Sequence, residues 1–169
     1  MASRISLFYF LLVTVFSGFG QEDKVLDVSK DFFISYQKQD SVHLRSLFIT
    51  KNAFWLYLNQ SYIIGDLNDS MAARSAQNYN QLYELWWKDI LSSQKKASEF
   101  YKIRWDQIEH IEYDIKYEER SNSGFMFQSY SVTIKFVYRK NSYSMWLDGF
   151  VVVDKQPYIL ANGLSLRKY

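Results

Sequence analysis

Asp148 is the residue whose position best suits catalysis, because it is a single carboxylate inside a long apolar segment. With the two-residue alternation of a strand, it shares a face with Trp146, Phe150 and Val152. The opposite face carries only apolar side chains, namely Met145, Leu147, Val151 and Val153. Burial among such residues raises the pKa of a carboxyl group toward the range of a general acid or base. Two other interpretations stay open: the strand emerges into solvent at Asp148, or Asp148 and Gly149 form a local bulge.

Glu109 is a second candidate for acid–base chemistry. Together with Gln107 it interrupts an apolar strand face between Trp105 and Ile111. Polar residues at such a point lie at the rim of a buried pocket, or at a strand end or bulge in solvent.

Metal and nucleophile chemistry find little support in the sequence. The two histidines, His43 and His110, lie far apart in the chain and lack the spacing of a metal site. His110 falls on the charged side of its predicted strand, so we expect it to be exposed. The chain has no cysteine, which excludes disulfides, a thiol nucleophile and thiolate ligands. It also has neither a GxSxG motif nor a glycine-rich phosphate loop, so we predict no metal and no cofactor.

Aromatic side chains are the most distinctive component of the chain. Its 13 Phe, 14 Tyr and 5 Trp make up 19% of the residues. Tyr79, Tyr83, Trp86 and Trp87 recur at helical spacing. They form either a stacking wall for a flat ligand or a stripe of core residues beneath a sheet. The candidate lining of a ligand pocket is Tyr79, Trp86, Trp105, Tyr130 and Trp146.

The elements that position these residues are predicted as helices first and strands last. A helix is expected over about residues 23–38, and a shorter one follows an N-cap at Asp40–Ser41. The predicted buried positions of these two helices are Val25, Val28, Phe32, Tyr36, Val42, Leu44, Leu47 and Phe48. Residues 52–64 are rich in aromatic and β-branched types, which predicts a strand or hairpin. Residues 65–70 are a loop by composition, and a long helix then runs from Asp69 or Ser70 to about Ser98.

After that helix the apolar period changes from 3.6 to 2. The alternation predicts a strand over about 103–117, a turn at 121–124 and a second strand that includes Tyr130 and Tyr138. A third strand over 143–153 is apolar on both faces, which is typical of a central strand. A last strand covers about 158–166. The sequence therefore predicts an α+β fold, in which N-terminal helices and one long helix pack on a curved antiparallel sheet.

Residues 1–20 have the pattern of a secretory signal peptide. Arg4 supplies the positive charge, residues 5–16 are apolar, and Gly18 and Gly20 precede a predicted cut before Gln21. The apolar run is shorter than the ~20 residues that span a bilayer, so we expect no membrane span after cleavage. Residues 21–169 then form one domain that is exported to the periplasm or secreted. The loss of Arg4 leaves a net charge of only +1, which argues against a nucleic-acid partner.

The order of elements resembles that of nuclear transport factor 2-like domains, a family that includes polyketide-cyclase-like enzymes. The resemblance rests on the helix break around Asp40, the short β segment, the long helix and the meander that ends in residues 150–160 (FVVVDKQPYIL). It covers nearly the whole of residues 21–169, on architecture alone. It implies a sheet that curls around the helices into a cone with an apolar pocket.

The function expected from these observations is binding without catalysis. Because family members include both enzymes and proteins with no chemistry, the fold does not select the function. We expect an exported domain that binds a small apolar or aromatic ligand or associates with a second copy of itself. The alternative is an isomerase or dehydratase that uses Asp148 or Glu109 with a tyrosine donor in the cone pocket.

Overall fold

The chain opens with helices and closes with strands. The computed structural model describes residues 3–60, 77–122 and 125–169, with the side chains of residues 20–58, 77–118, 129–160 and 163–169. The helices are α1 (Ser3–Lys38), α2 (Ser41–Ser46), α3 (Lys51–Gln60) and α4 (Tyr79–Lys95), followed by a π-helical turn (Lys96–Phe100). A 3₁₀ turn (Trp105–Gln107) precedes the strands β1 (Glu109–Asn122), β2 (Phe125–Tyr138), β3 (Asn141–Val153) and β4 (Gln156–Lys168).

These four strands form one antiparallel sheet in the order β1-β2-β3-β4. The sheet is curved and unclosed, and the helices pack against it. Helices α1 and α4 contact β4, whereas α3 contacts β3. The predicted α+β class, with helices before an antiparallel meander, is therefore confirmed.

The break between α1 and α2 lies where the sequence predicts it. The Asp40 carboxylate accepts a hydrogen bond from the backbone N–H of His43 at 3.0 Å and so caps α2. Leu44 is fully buried, as predicted, but Val42 is 80% exposed. The expectation for Val42 was wrong because a residue two positions from Leu44 lies on the opposite side of a helix.

Residues 52–60 form part of helix α3, so the strand or hairpin predicted there is wrong over the described part; residues 61–64 lie outside it. The helix starts at a cap, since the Thr50 hydroxyl accepts a hydrogen bond from the backbone N–H of Ala53 at 3.2 Å. Its buried residues, Ala53, Phe54, Tyr57 and Leu58, share one helical face. Packing on that face has overridden the β-propensity of the aromatic residues.

The long helix ends close to the predicted residue, Ser98. Helix α4 ends at Lys95, and the π-helical turn extends it to Phe100. The predicted start at Asp69 or Ser70, and the predicted loop over 65–70, lie outside the described residues. The expected aromatic face is present: Trp86, Trp87 and Ile90 are buried and Tyr79, Leu82 and Tyr83 are half-buried.

The first strand starts later than expected, at Glu109 rather than near residue 103. The backbone adopts left-handed φ values at Lys102 (56°) and His110 (50°), which interrupt an extended chain. Trp105 therefore lies in the 3₁₀ turn and not on a strand face. It packs between α1 and β2, with its ring against Phe33, Tyr36 and Phe136.

Strands β2 and β3 follow their predicted patterns closely. On β2 the alternating residues Tyr130, Val132, Ile134, Phe136 and Tyr138 are all buried. On β3 both faces are buried over most of the strand, although Trp146 keeps 36% of its surface exposed. These strands, with α1 and α4, enclose the hydrophobic core.

Candidate functional site

An open groove of about 600 Å³ lies between the α2–α3 connection and the start of α4. Its described lining is Arg45, Ser46, Phe48, Ile49, Thr50, Lys51, Tyr79, Asn80, Tyr83 and Glu84. We refer to this cavity as the α2–α4 groove. Its volume lies within the range of about 300–1,000 Å³ that is usual for small-molecule sites.

The wall on the α2–α3 side is fixed by the sheet. Phe48 forms an isolated parallel bridge with Ile159 of β4. The backbone N–H of Ile49 donates to the carbonyl of Ile159, and the N–H of Ile159 donates to the carbonyl of Leu47, both at 3.0 Å. These two bonds join the Phe48 segment to β4, so this wall of the groove is attached to the sheet.

Three aromatic rings of the groove lining, Phe48, Tyr79 and Tyr83, pack against one another and against the buried rings of Phe54 and Trp86. The Phe48 ring centroid lies 5.7 Å from that of Tyr83 and 6.4 Å from that of Trp86. Tyr79 lies 6.0 Å from Tyr83 and 5.7 Å from Phe54. These are the separations at which aromatic rings attract one another, and we refer to these five residues as the groove cluster.

Tyr79 connects the two walls. Its hydroxyl donates a hydrogen bond to the carbonyl oxygen of Ile49 at 2.5 Å. Burial, and the nearby hydroxyl of Tyr83, raise the pKa of Tyr79 above its ordinary value. The hydroxyl therefore stays protonated at neutral pH, which keeps it a donor to the α2–α3 connection.

Charged side chains surround the rings. The Arg45 guanidinium lies over the indole of Trp87 at 4.3 Å from the ring centroid and over Tyr83 at 5.7 Å. Lys51 adds a second positive charge to the lining, and Glu84 adds a negative one. The groove thus combines an aromatic base with cationic groups at its edge, an arrangement suited to a planar ligand.

A second groove, of about 380 Å³, lies along α3. Its described lining is Lys51, Asn52, Trp55 and Leu56, so it shares Lys51 with the α2–α4 groove. Trp55 and Leu56 are exposed. This groove extends the apolar surface beyond Lys51 on the side of α3 that faces away from the core.

The structure brings together only two of the five residues expected to line a pocket. Tyr79 lines the α2–α4 groove, and Trp86 lies against it at 6.5 Å between ring centroids. Trp105 is in the core between α1 and β2. Tyr130 of β2 packs on Tyr117 of β1, which is the edge strand of the sheet farthest from β4. Trp146 pairs with Thr133 and Ser165 on the sheet face opposite the core residues of β2.

Asp148 is 7% exposed and does not belong to the described lining of either groove. Gly149 follows it with a φ of 91°, and the register of β3 shifts there against both neighbouring strands. Of the readings left open above, the bulge is therefore the one that is present. The extra residue moves Phe150 to the face of Leu147, so the expectation that Phe150 shares a face with Asp148 was wrong.

The remaining polar candidates lie at the surface. Glu109 is exposed beside an irregularity in β1, where the register against β2 shifts before Glu112. His43 and His110 are exposed. Within the described residues, no three His, Cys, Asp or Glu side chains come together as a metal site would need.

The polar residues of the groove were not found from the sequence. Arg45 lies in the short helix α2, about 40 residues before Tyr83 and Trp87 in the chain. No sequence pattern connects it to those two residues. The only available signal was the i, i+4 pair of aromatic residues on α4, because such a pair offers two ring faces side by side. Identifying the cation that covers them requires the tertiary structure.

The comparisons with known proteins give no further guide. No protein-family model, curated protein or solved structure matches this chain. None of the described helices is long and apolar enough to cross a membrane.

Proposed function

We propose that this protein is an exported α+β domain that binds a small planar aromatic ligand in the α2–α4 groove without catalysis. The observation that carries the proposal is the groove cluster, an aromatic base in an open cavity of about 600 Å³. A ring that enters the groove removes apolar surface from water and gains ring–ring contacts with Tyr79 and Tyr83.

Binding without catalysis is favoured over the isomerase or dehydratase alternative by the placement of the carboxylates. Glu109 is exposed, and Asp148 is outside the described lining of both grooves. Glu84 is the carboxylate of the described groove lining, and its side chain is exposed to solvent instead of being enclosed with a substrate. The enzyme alternative predicts that substitution of Asp148 by Asn abolishes a turnover that the groove variants retain.

The test is a titration with 2-naphthalenemethanol and with 2-naphthoate, followed by calorimetry. Ligands of this size bind with dissociation constants of about 0.1–1 mM when they are well buried. We expect saturable binding of at least one probe, and a loss of about tenfold or more in Tyr83→Ala. Leu85→Ala is the matched control, since Leu85 is exposed on the same helix and is not among the groove residues. Absence of binding by both probes would reject the proposal.

Export and family membership form the second part of the proposal. The predicted cut before Gln21 would retain the contacts that join α1 to the sheet, namely the bond from the Tyr130 hydroxyl to Gln21 and the bond from the Lys24 ammonium to the carbonyl of Lys155. Expression of the full chain followed by mass spectrometry of the exported product should give Gln21 as the first residue. An unprocessed chain that stays with the cells would contradict export.

A nuclear transport factor 2-like fold remains part of the proposal. The helix break at Asp40 and the final meander support it. The described residues 51–60 depart from the expected pattern because they are helical instead of forming a short β segment. An experimental structure in which the sheet encloses a cone-shaped pocket would support membership in that family, and an open sheet without a cone would oppose it.

Self-association is a second candidate function, and the open edge of the sheet favours it. No described strand pairs with the outer side of β1, and Ile111 on that strand is 44% exposed. Unpaired edges of this kind add strands from another chain. If a dimer forms through β1, sedimentation of Ile111→Lys should show self-association weakened by about tenfold, that is, a dimer dissociation constant about tenfold higher. Leu91→Lys, on α4 with a similar exposure of 47%, should sediment as the parent chain does.

A further inference from the structure

Arg45 is the groove residue whose chemistry goes furthest beyond apolar binding. Its guanidinium is held against Trp87 at 4.3 Å and faces Tyr83 at 5.7 Å. No described carboxylate forms an ion pair with it. Stacking fixes the plane of the guanidinium and leaves its edge of N–H donors free for a ligand.

The charges of the groove favour an anion with one negative charge. Arg45 and Lys51 are positive and Glu84 is negative, so the described lining carries a net charge of +1. Lys51 is exposed and has no ion-pair partner among the described residues. A carboxylate matches both this charge and the planar fork of arginine, which binds two oxygens at once.

We infer that the ligand of the α2–α4 groove is a planar aromatic carboxylate, with its ring on Tyr79 and Tyr83 and its carboxylate on Arg45. This inference rests on the proposed function, because it names the chemical class of the ligand for the same site. It makes Arg45 the residue that determines specificity, with Lys51 as a longer-range attraction. The aromatic base alone would not distinguish a carboxylate from a neutral ring.

The experiment compares three probes that share a naphthalene ring: 2-naphthoate, 2-naphthalenemethanol and 2-naphthyl phosphate. We expect 2-naphthoate to bind about tenfold more tightly than the neutral alcohol, because the charged hydrogen bond to Arg45 is the difference between them. The phosphate, which carries more charge, should not bind more tightly than the carboxylate. A phosphate preference of tenfold would overturn the carboxylate assignment.

Variants separate the part played by Arg45 from the part played by the rings. Arg45→Met keeps the aliphatic contact with Trp87 and should bring 2-naphthoate down to the affinity of the alcohol. Arg45→Lys keeps the charge without the planar fork and should bind 2-naphthoate with intermediate affinity. Lys88→Met is the matched control, since Lys88 is an exposed cation on α4 outside the groove lining. It should leave all three affinities unchanged.

Glu84 provides an independent test of whether the charge of the groove lining determines the affinity for an anionic ligand. Glu84→Gln removes the negative charge of the lining and should strengthen 2-naphthoate binding by about twofold, with no change for the alcohol. Equal affinities of the parent chain for the acid and the alcohol would overturn the inference and leave the proposed function intact. If the parent chain binds neither the acid nor the alcohol, the proposed function itself is rejected.

Discussion

Two aromatic clusters in this protein use the same residue types for different ends. The core cluster consists of Phe33, Tyr36, Trp105, Phe136 and Tyr143, and the groove cluster of Phe48, Phe54, Tyr79, Tyr83 and Trp86. The ring separations are similar, from 5.4 to 6.1 Å in the first and from 5.7 to 6.5 Å in the second. The clusters differ in what covers them.

Four of the five core-cluster rings are buried between α1 and the inner face of the sheet, and Trp105 is partly buried against them. The Tyr36 hydroxyl of this cluster forms a 2.8 Å hydrogen bond with the hydroxyl of Ser93 inside the protein. In the groove cluster, Tyr79 and Tyr83 line an open cavity and keep part of their surface exposed. Stability should therefore depend on the first cluster and ligand binding on the second.

The largest expected effect is the loss of a core ring. Phe136→Ala should lower the free energy of unfolding by about 3–5 kcal/mol, because the ring is fully enclosed and leaves a cavity. Tyr83→Ala should lower it by about 1 kcal/mol or less, since its ring is half-exposed. Urea denaturation followed by tryptophan fluorescence measures both values. Equal losses would show that the two clusters have the same structural role.

The core cluster was largely predictable from the sequence, and the groove was not. The period of two in β2 identifies Phe136 and its neighbours as buried, and the period of 3.6 in α1 identifies Phe32 and Tyr36. The position of Trp105 could not be predicted, because its spacing fits a strand. The left-handed φ values of Lys102 and His110, which interrupt the extended chain on either side of it, are not visible in that spacing. The groove depends on a parallel bridge between Phe48 and Ile159, residues that no local pattern connects.

The second effect concerns the pH dependence of stability and is expected from Tyr36 of the core cluster. Burial raises the pKa of Tyr36 well above its ordinary value, so the folded state favours the protonated hydroxyl. This contribution to stability is complete below the unfolded pKa of about 10 and is lost as pH rises through the higher folded pKa. The free energy of unfolding should therefore fall from about pH 10 upward.

Tyr36→Phe should make that alkaline decline shallower, since it removes the group that must lose its proton. Urea denaturation at several pH values from 9 to 11 gives the slope. Tyr169→Phe is the control, because Tyr169 is exposed at the C-terminal end of β4. If the free energy of unfolding of both variants falls with pH as steeply as that of the parent chain, Tyr36 is not the residue that governs alkaline stability.

A smaller effect is expected from the hydroxyl that joins the walls of the groove. Tyr79→Phe removes the hydrogen bond to the carbonyl of Ile49 and should cost about 1 kcal/mol of stability. It should also weaken 2-naphthoate binding by a few fold, since the α2–α3 connection is then less well held against α4. Thermal denaturation and calorimetry measure the two quantities. An unchanged stability would mean that this bond contributes nothing in solution.

The indole N–H signals of the tryptophans, followed by NMR during titration with 2-naphthoate, report directly on whether the ligand site lies in the α2–α4 groove. Trp87 lies beneath Arg45 and Trp86 lies against the groove, whereas Trp105 belongs to the core cluster. We predict that the signals of Trp86 and Trp87 shift with a common saturable curve and that the signal of Trp105 stays in place. A shift of Trp105 alone, or of none of the three at saturating probe, would contradict a ligand site in the α2–α4 groove.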